Sequence, residues 1–203
     1  MSTTTSDVPA AGTAPLSPRD RILEAASELF YALGIRAVSA DKIIDRAGIT
    51  KVTFYRHFPT KDDLVVAYLE RRSSRERQIF DDLVKVASDE TDAFRRFAQK
   101  IGTESCRPGF RGCPFINAAA EYADPDSAVR TVVTTHRAWY RDVFTTMLHQ
   151  LGATNADEAA DELLMLRDGA MLAGYLGEAP RVTKALTTGI LAVLGAHDAN
   201  ITE

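Results

Sequence analysis

Apolar side chains recur at intervals of three and four residues along most of this 203-residue chain, and this spacing constrains the fold more than any other feature. A helix repeats every 3.6 residues, so the pattern gathers apolar side chains on one face, whereas a half-buried strand alternates with a period of two. No segment of useful length alternates in that way. The sequence therefore predicts an all-α protein.

Helix boundaries can be read from capping and breaking residues, because Ser and Thr oxygens accept from free helical N–H groups while Gly and Pro end helices. The capping residues at the N-terminal end are Ser17, Ser39, Thr50 and Thr60. They predict a long helix over 18–33, a short helix ending at 47, a second short helix over 51–58, and a long helix from 61 to about 87. Further helices are predicted at 91–105, 114–123, 126–151, 156–177 and 180–196.

The charge of the chain is unevenly distributed. Residues 17–77 carry 12 Lys/Arg against 9 Asp/Glu, whereas residues 78–203 carry 12 against 18. The net charge of -4 therefore hides a basic N-terminal part, which a phosphate-binding module could use.

Other features exclude several classes of protein. Residues 1–16 are rich in Ser, Thr, Ala, Pro and Gly and predict a disordered leader. No stretch approaches eighteen consecutive apolar residues, so we expect a cytoplasmic protein with no membrane partner. Cys106 and Cys113 are too few for a disulfide framework and lack metal-ligand spacing, so no metal or cofactor is expected.

Residues 46–61, RAGITKVTFYRHFPTK, contain four Lys or Arg, one His and no acidic residue. They surround a short helix that follows another short helix after a Gly-containing turn. In a helix-turn-helix the second helix enters the major groove, and flanking basic, hydroxyl and aromatic groups bind phosphates. Lys51, Thr53 and Tyr55 supply these groups, while Phe54 and Phe58 fall on the opposite, buried side. Composition alone also fits an ordinary charged surface helix.

The same region resembles the DNA-binding domain of the TetR family of bacterial regulators. The matching positions are Phe30, Gly34, Ser39, Ile43, Ala47-Gly48-Ile49-Thr50, Phe54-Tyr55-Arg56-His57-Phe58, and Lys61 with Leu64. Ile44 and Val52 depart from the pattern, since the family usually has Ala and frequently Gly there. The resemblance implies a helix-turn-helix DNA-binding domain over 17–62 and a helical ligand-binding and dimerisation domain over 63–203.

This resemblance also implies a function and a set of contacts. The chain is expected to be a homodimeric, sequence-specific regulator, most simply a repressor that a small molecule releases from a near-palindromic double-stranded DNA operator. It is not expected to be an enzyme. The residues expected to contact DNA are Ser39, Thr50, Lys51, Thr53, Tyr55, His57 and Lys61.

The C-terminal half is expected to dimerise through its last two long helices, with Leu163, Leu164, Leu186 and Ile190 among the apolar positions. Polar or reactive groups among apolar helices are candidates for a ligand pocket. We single out Phe110, Cys113, Phe115, Asn117, Glu121, His136, Trp139, Tyr140, Met147, Met165 and Tyr175.

Two alternatives remain open at this point. Cys106 and Cys113 could form a redox switch that controls DNA binding, because a thiolate is stabilised near a helix N-terminus. The second alternative is a small thiol-dependent enzyme that uses Cys113, His136 and Glu121. The sequence contains no nucleophile elbow, phosphate loop or metal motif that would support it.

Overall fold

The computed structural model describes residues 16–202, so the leader predicted over 1–16 lies outside the described part except for Leu16. The described part is all-helical, as predicted. Its α-helices are α1 (Pro18–Leu33), α2 (Ala40–Ala47), α3 (Lys51–His57), α4 (Lys61–Val86), α5 (Glu90–Ser105), α6 (Pro114–Glu121), α7 (Ala128–Gln150), α8 (Ala156–Ala173) and α9 (Ala179–Ala196). No helix in residues 16–202 combines the length and apolar character needed to cross a membrane.

The N-terminal helices begin where the capping residues predicted. The hydroxyl oxygens of Ser17, Ser39, Thr50 and Thr60 each accept a hydrogen bond from the backbone N–H three residues later. Thr60 and Asp63 complete a reciprocal capping box at the start of α4. The ends of the short helices are therefore satisfied locally, and α2 and α3 form although each has only seven or eight residues.

The first apolar core joins α1–α3 to the N-terminal half of α4, and it continues into α6 and the start of α7. Ile22, Phe54 and Leu64 are completely buried in it. Phe115 of α6 and Val129 of α7 belong to the same cluster. The helix-turn-helix thus packs directly on part of the C-terminal half.

The second core lies between the C-terminal half of α4 and α5, α7, α8 and α9. Phe80, Phe97, Tyr140 and Phe144 form an aromatic cluster at its centre, with ring centroids 5.4–6.3 Å apart. α5 approaches α9 closely at Gly102, where a Cβ atom would lie 1.7 Å from Oγ1 of Thr183. Only glycine allows this approach.

The α8–α9 connection differs from the sequence prediction. The helix predicted over 156–177 ends at Ala173 and is followed by a π-helical turn over Gly174–Glu178. Gly177 has φ +100° in that turn, a conformation that interrupts helical geometry. α6 also ends at Glu121 rather than at 123.

The apolar residues selected for the dimer lie instead in the chain's own core. Leu163, Leu164, Leu186 and Ile190 are each no more than 8% exposed. The reason is that both helices are apolar on more than one side, and periodicity does not say which side faces the chain itself. The exposed large apolar side chains of this region are Met165, Leu172, Tyr175 and Leu176.

Candidate DNA-binding surface and ligand cavity

α3 is held by one face and presents the other to solvent. Phe54 is completely buried and Phe58 is nearly so, which anchors the helix on the first core. We call the exposed side chains of Lys51, Val52, Tyr55 and Arg56 the α3 surface. This division is the one that the basic segment and its two phenylalanines predicted.

The turn between α2 and α3 is fixed by backbone geometry and by a side chain of α1. Gly48 adopts a left-handed conformation with φ +62° and closes α2. The guanidinium of Arg21 donates to the carbonyl oxygens of Ala47 and Gly48, at 2.6 Å and 2.8 Å. α3 is therefore held rigidly relative to α1.

The charged side chains on and beside the α3 surface are exposed to solvent. Nζ of Lys51 lies 3.6 Å from a carboxylate oxygen of Asp41, and both side chains are more than two-thirds exposed. Such an exposed pair contributes little to stability and leaves the cation available to other anions. Arg46 pairs similarly with Glu28 at 2.6 Å. Acidic residues of α1 and α2 thus lie beside a segment that itself contains none.

The remaining residues predicted to contact DNA occupy different environments. Ser39, Thr50 and Thr53 lie at exposed or half-exposed helix starts, where the Ser39 and Thr50 hydroxyls also act as caps. Nε2 of His57 is buried and has no hydrogen-bond partner among residues 16–202. Nζ of Lys61 lies 6.0 Å from the ring centre of Phe30, and partial burial lowers the pKa of its ammonium. His57 and Lys61 are thus less exposed than Lys51 and Tyr55.

A cavity of about 320 Å³ opens between α4, α5, α7, α8 and the loop before α6. One end is apolar, where Ile79, Phe80, Leu83, Phe97 and Ile101 line it. The rest of the lining contains charged and polar side chains, namely Tyr31, Arg72, Arg75, Glu76, Lys100, Glu104, Arg107 and Arg167, together with the apolar Pro108, Phe110, Pro114 and Met171. This size is in the range of small-molecule sites.

Of the residues predicted for the pocket, Phe110 and Tyr140 line the cavity. Asn117 and Glu121 border a much smaller void of about 10 Å³. The others lie elsewhere in the described part: Cys113, Phe115, His136 and Met147 are buried in packing, Trp139 packs beside Phe80, and Met165 and Tyr175 are exposed at the surface.

A buried polar cluster beside the cavity was missed by sequence reasoning. Oε2 of Glu76 lies 3.2 Å from Nε2 of His136, 3.2 Å from the Tyr140 hydroxyl and 3.7 Å from the Arg167 guanidinium. Burial alone would raise the pKa of the Glu76 carboxyl, but the His136 hydrogen bond and the Arg167 charge outweigh it and lower this pKa. Arg167 also donates to Asp168 at 2.9 Å.

The signals for this cluster were weak in the sequence. Glu76 lies in a charged stretch, RRSSRER, that reads as a solvated helix face. Arg167 and Asp168 are two adjacent charges inside the otherwise apolar run LLMLRDGAML, and they were the one sequence feature that could have indicated a buried ion pair.

A hydrogen-bonded joint connects the cavity to the helix-turn-helix. The Glu121 carboxylate accepts from the backbone N–H groups of Ile35 and Arg36, at 2.9 Å and 2.6 Å. The Tyr31 hydroxyl donates to the carbonyl of Gly112 at 3.0 Å and accepts from the backbone N–H of Arg111 at 2.9 Å. Tyr31 and Gly112 also line the cavity. We call the hydrogen bonds among these six residues the joint: Tyr31, Ile35, Arg36, Arg111, Gly112 and Glu121.

The trio considered for thiol catalysis is not assembled. The Cys113 sulfur accepts from Arg167 at 3.2 Å, the His136 ring stacks on Phe115 at 3.6 Å, and Glu121 bonds to the α1–α2 loop. Cys113 is buried whereas Cys106 is exposed, and both are free. These contacts give each of the three residues a separate structural role.

The capped pair of short helices, the exposed basic face of α3 and the separate helical cavity define a helix-turn-helix transcriptional regulator. Residues 22–68 match the model of bacterial regulatory proteins of the tetR family. The chain belongs to the TetR family and is a DNA-binding regulator.

Similar proteins support this assignment over most of the chain. A crystal structure of a TetR-family transcriptional regulator from Streptomyces coelicolor is 39% identical, with a TM-score of 0.84; the match covers 89% of this chain and 95% of that one. The transcriptional regulator LmrA of Bacillus subtilis is 26% identical over 160 residues, covering 76% of this chain and 84% of LmrA. The transcriptional activator FasR of Mycolicibacterium smegmatis is 45% identical over 53 residues, covering 26% of this chain and 24% of FasR.

Proposed function

We propose that this regulator is a homodimeric repressor whose affinity for its operator falls when a small molecule occupies the cavity. The observation that carries the proposal is the joint, because Tyr31 contacts both the cavity and the backbone of Gly112. A ligand that changes the position of the Tyr31 ring changes the α1–α2 region that supports α3. Redox control through Cys106 and Cys113 is not favoured, since Cys113 is buried against Arg167.

The DNA contacts are proposed to come from α3 and its flanks. Lys51 and Tyr55 are exposed members of the predicted set on α3 itself and would reach the major groove first. Thr50, Thr53 and Ser39 lie at helix N-termini, where hydroxyl and backbone N–H groups bind phosphates well. His57 and Lys61 would contact only the DNA backbone, at the edge of the interface, because both side chains are partly buried.

The dimer is proposed to form through the outer face of α8 and α9. Met165 and Leu172 are 64% and 57% exposed and lie two helical turns apart on α8. Gly169 lies between them, and a Cβ atom there would meet nothing within 4 Å. Two such faces related by a two-fold axis would hold the two α3 helices about 34 Å apart, which is the spacing of successive major grooves.

The joint supplies the coupling in this proposal. Glu121 binds two backbone N–H groups just after α1, so a shift of α6 pulls directly on the loop that leads to α2. A ligand that prefers the shifted arrangement by a few kcal/mol would release most of the DNA.

A selection of fragmented genomic DNA on the purified full-length protein tests the DNA-binding part. Wild type should enrich a short near-palindrome at physiological salt. Lys51→Gln should lose that enrichment, because a cation of the α3 surface is removed. Lys85→Gln is a matched control: its side chain is 69% exposed against 67% for Lys51, and it also pairs with an aspartate, at 3.5 Å.

Lys85→Gln should enrich the same sequence as wild type. If Lys51→Gln and Lys85→Gln behave alike, α3 is not the DNA-reading helix. If wild type enriches no sequence above random fragments, the operator-binding proposal fails.

A further inference from the structure

We propose that the cavity selects amphipathic organic anions, in which an acidic group is attached to an aromatic body. This inference rests on the proposed function, since it concerns the ligand of the same cavity. It is carried by an excess of positive charge at one end of the cavity and by an apolar wall at the other.

The charge excess is clear from the lining side chains. Arg72, Arg75, Lys100, Arg107 and Arg167 line the cavity, against Glu76 and Glu104. Glu104 is already shared by Lys100 and Arg107, at 2.8 Å and 3.2 Å. Glu76 faces Arg167, His136 and Tyr140, and Arg167 has a second partner in Asp168. Both acids of the cavity are therefore committed to other partners.

Arg72 and Arg75 are the two cations of the cavity lining that these acids do not pair with. Neither forms an ion pair with any residue between 16 and 202. Nε of Arg72 is buried and has no hydrogen-bond partner in that range. The Arg72 guanidinium lies 5.0 Å from the ring centre of Tyr31 and interacts with the Tyr68 side chain, but no acidic side chain in that range pairs with it. A carboxylate or sulfonate is the group that satisfies a half-buried guanidinium without an acidic partner.

The cavity is polarised along α4. Arg72, Arg75 and Glu76 occupy one end, and Ile79, Phe80 and Leu83 follow on successive turns, so the lining spans about 16 Å of helix. Phe97 of α5 packs against Phe80 at the apolar end, with ring centroids 5.7 Å apart. A molecule with a charge at one end and an aromatic body at the other fits this arrangement.

The position of the charged end links ligand chemistry to the joint. Arg72 contacts Tyr31, and Tyr31 holds the Gly112 carbonyl. An anion that draws the Arg72 guanidinium toward itself takes it away from the Tyr31 ring. A neutral ligand of the same shape would fill the apolar end without this effect.

Two fluorescent probes with the same aromatic body test the inference. 1-Anilinonaphthalene-8-sulfonate is anionic, and N-phenyl-1-naphthylamine is the same molecule without the sulfonate. Titration of the full-length protein should show tighter binding of the sulfonate. Arg72→Gln and, separately, Arg75→Gln should weaken sulfonate binding by about tenfold or more, as expected for a lost hydrogen bond to a charged group. Neither should change binding of the neutral probe, which also reports that the cavity is still folded.

Arg71→Gln is the matched control, since it removes the same charge one residue away on α4 at a position outside the cavity lining. It should leave both probes unaffected. Equal binding of the two probes by wild type, equal losses in Arg71→Gln and Arg72→Gln, or no binding of either probe would each overturn the inference. Operator enrichment by the ligand-free protein is measured separately, so these outcomes leave the proposal of DNA binding standing.

Discussion

The α3 surface and the cavity use charged residues in opposite ways. Lys51 of the α3 surface and the neighbouring Arg46 of α2 are exposed, and both pair with exposed acids on neighbouring helices. Arg167 is 5% exposed on its side chain and lies among Glu76, Asp168 and Cys113. Exposed charges act over long distances and are screened by salt, whereas buried charges must be matched by specific partners. The first arrangement suits a polyanion and the second suits one small molecule.

This contrast separates function from stability in the two regions. Removing a charge from the α3 surface should alter DNA binding with little effect on folding. Removing one from the cavity cluster should destabilise the protein, because a buried partner is left unmatched. Single substitutions in the two regions should therefore differ in their effect on the free energy of unfolding.

The largest effect is expected for Phe54→Ala. Phe54 is completely buried, and such truncations cost about 3–5 kcal/mol. Because the first core includes α6 and α7 residues, the loss should lower the stability of the whole chain. Urea denaturation can be followed by circular dichroism, which reports all helices, and by fluorescence of Trp139, the single tryptophan.

In Phe54→Ala the unfolding midpoints reported by both signals should move together to a lower urea concentration. An unchanged Trp139 transition would mean that the helix-turn-helix and the cavity region unfold independently, which would contradict the shared core.

The next effect is expected for Glu76→Gln, at about 1–3 kcal/mol. Because the pKa of Glu76 is lowered in the folded protein, the folded state binds fewer protons at this carboxyl. Its contribution to stability is therefore present above the ordinary pKa near 4.5 and is lost as the pH falls further. The free energy of unfolding is measured at pH 7 and at lower pH. It should fall less on acidification in Glu76→Gln than in wild type.

Asp82→Asn serves as the control for that measurement, because Asp82 is an exposed carboxylate on the same helix. It should leave the stability at pH 7 almost unchanged. A loss equal to that of Glu76→Gln would remove the distinction between exposed Asp82 and partly buried Glu76.

Glu121→Gln should cost about 1–2 kcal/mol, because a charged acceptor of two backbone N–H groups becomes a neutral one. Its more specific effect is on coupling. The ratio of operator affinities measured without and with a bound ligand should move toward one. Glu178→Gln, at an exposed glutamate of the π-helical turn, should keep the wild-type ratio. An unchanged ratio in Glu121→Gln would exclude the joint as the coupling element.

The smallest effect on stability is expected for Tyr55→Phe, within about 0.5 kcal/mol, because Tyr55 is 42% exposed and its ring still packs against Phe54. Operator affinity should nevertheless fall about fivefold to tenfold if the hydroxyl binds a phosphate. Gel-shift titrations at constant salt measure this change. Wild-type affinity in Tyr55→Phe would mean that the hydroxyl does not contact DNA.

The same contrast explains how much the sequence revealed. The caps at Ser39 and Thr50, the Gly48 turn and the buried Phe54 are local features, so both short helices could be predicted almost to the residue. The cavity depends on contacts such as Glu76 with His136, which lie 60 residues apart. Spacing along one helix cannot reveal such partners, and most predicted pocket residues accordingly lie outside the cavity.

Glu121 illustrates the same limit. Its polar character within an apolar segment was recognised, but its partners are backbone groups of Ile35 and Arg36, 86 and 85 residues away. The residue type made Glu121 a candidate pocket residue, and only the fold shows that its carboxylate binds the α1–α2 loop.

The most direct test of the account is the affinity of the cavity for a probe in free and operator-bound protein. The tighter-binding of the two naphthalene probes is titrated by fluorescence into each form, with the selected operator at saturation. Coupling between sites is reciprocal, so we expect weaker probe binding to the operator-bound protein and weaker operator binding when the probe is present. Equal probe affinities in the two forms would contradict it, because a ligand that does not distinguish them cannot release DNA.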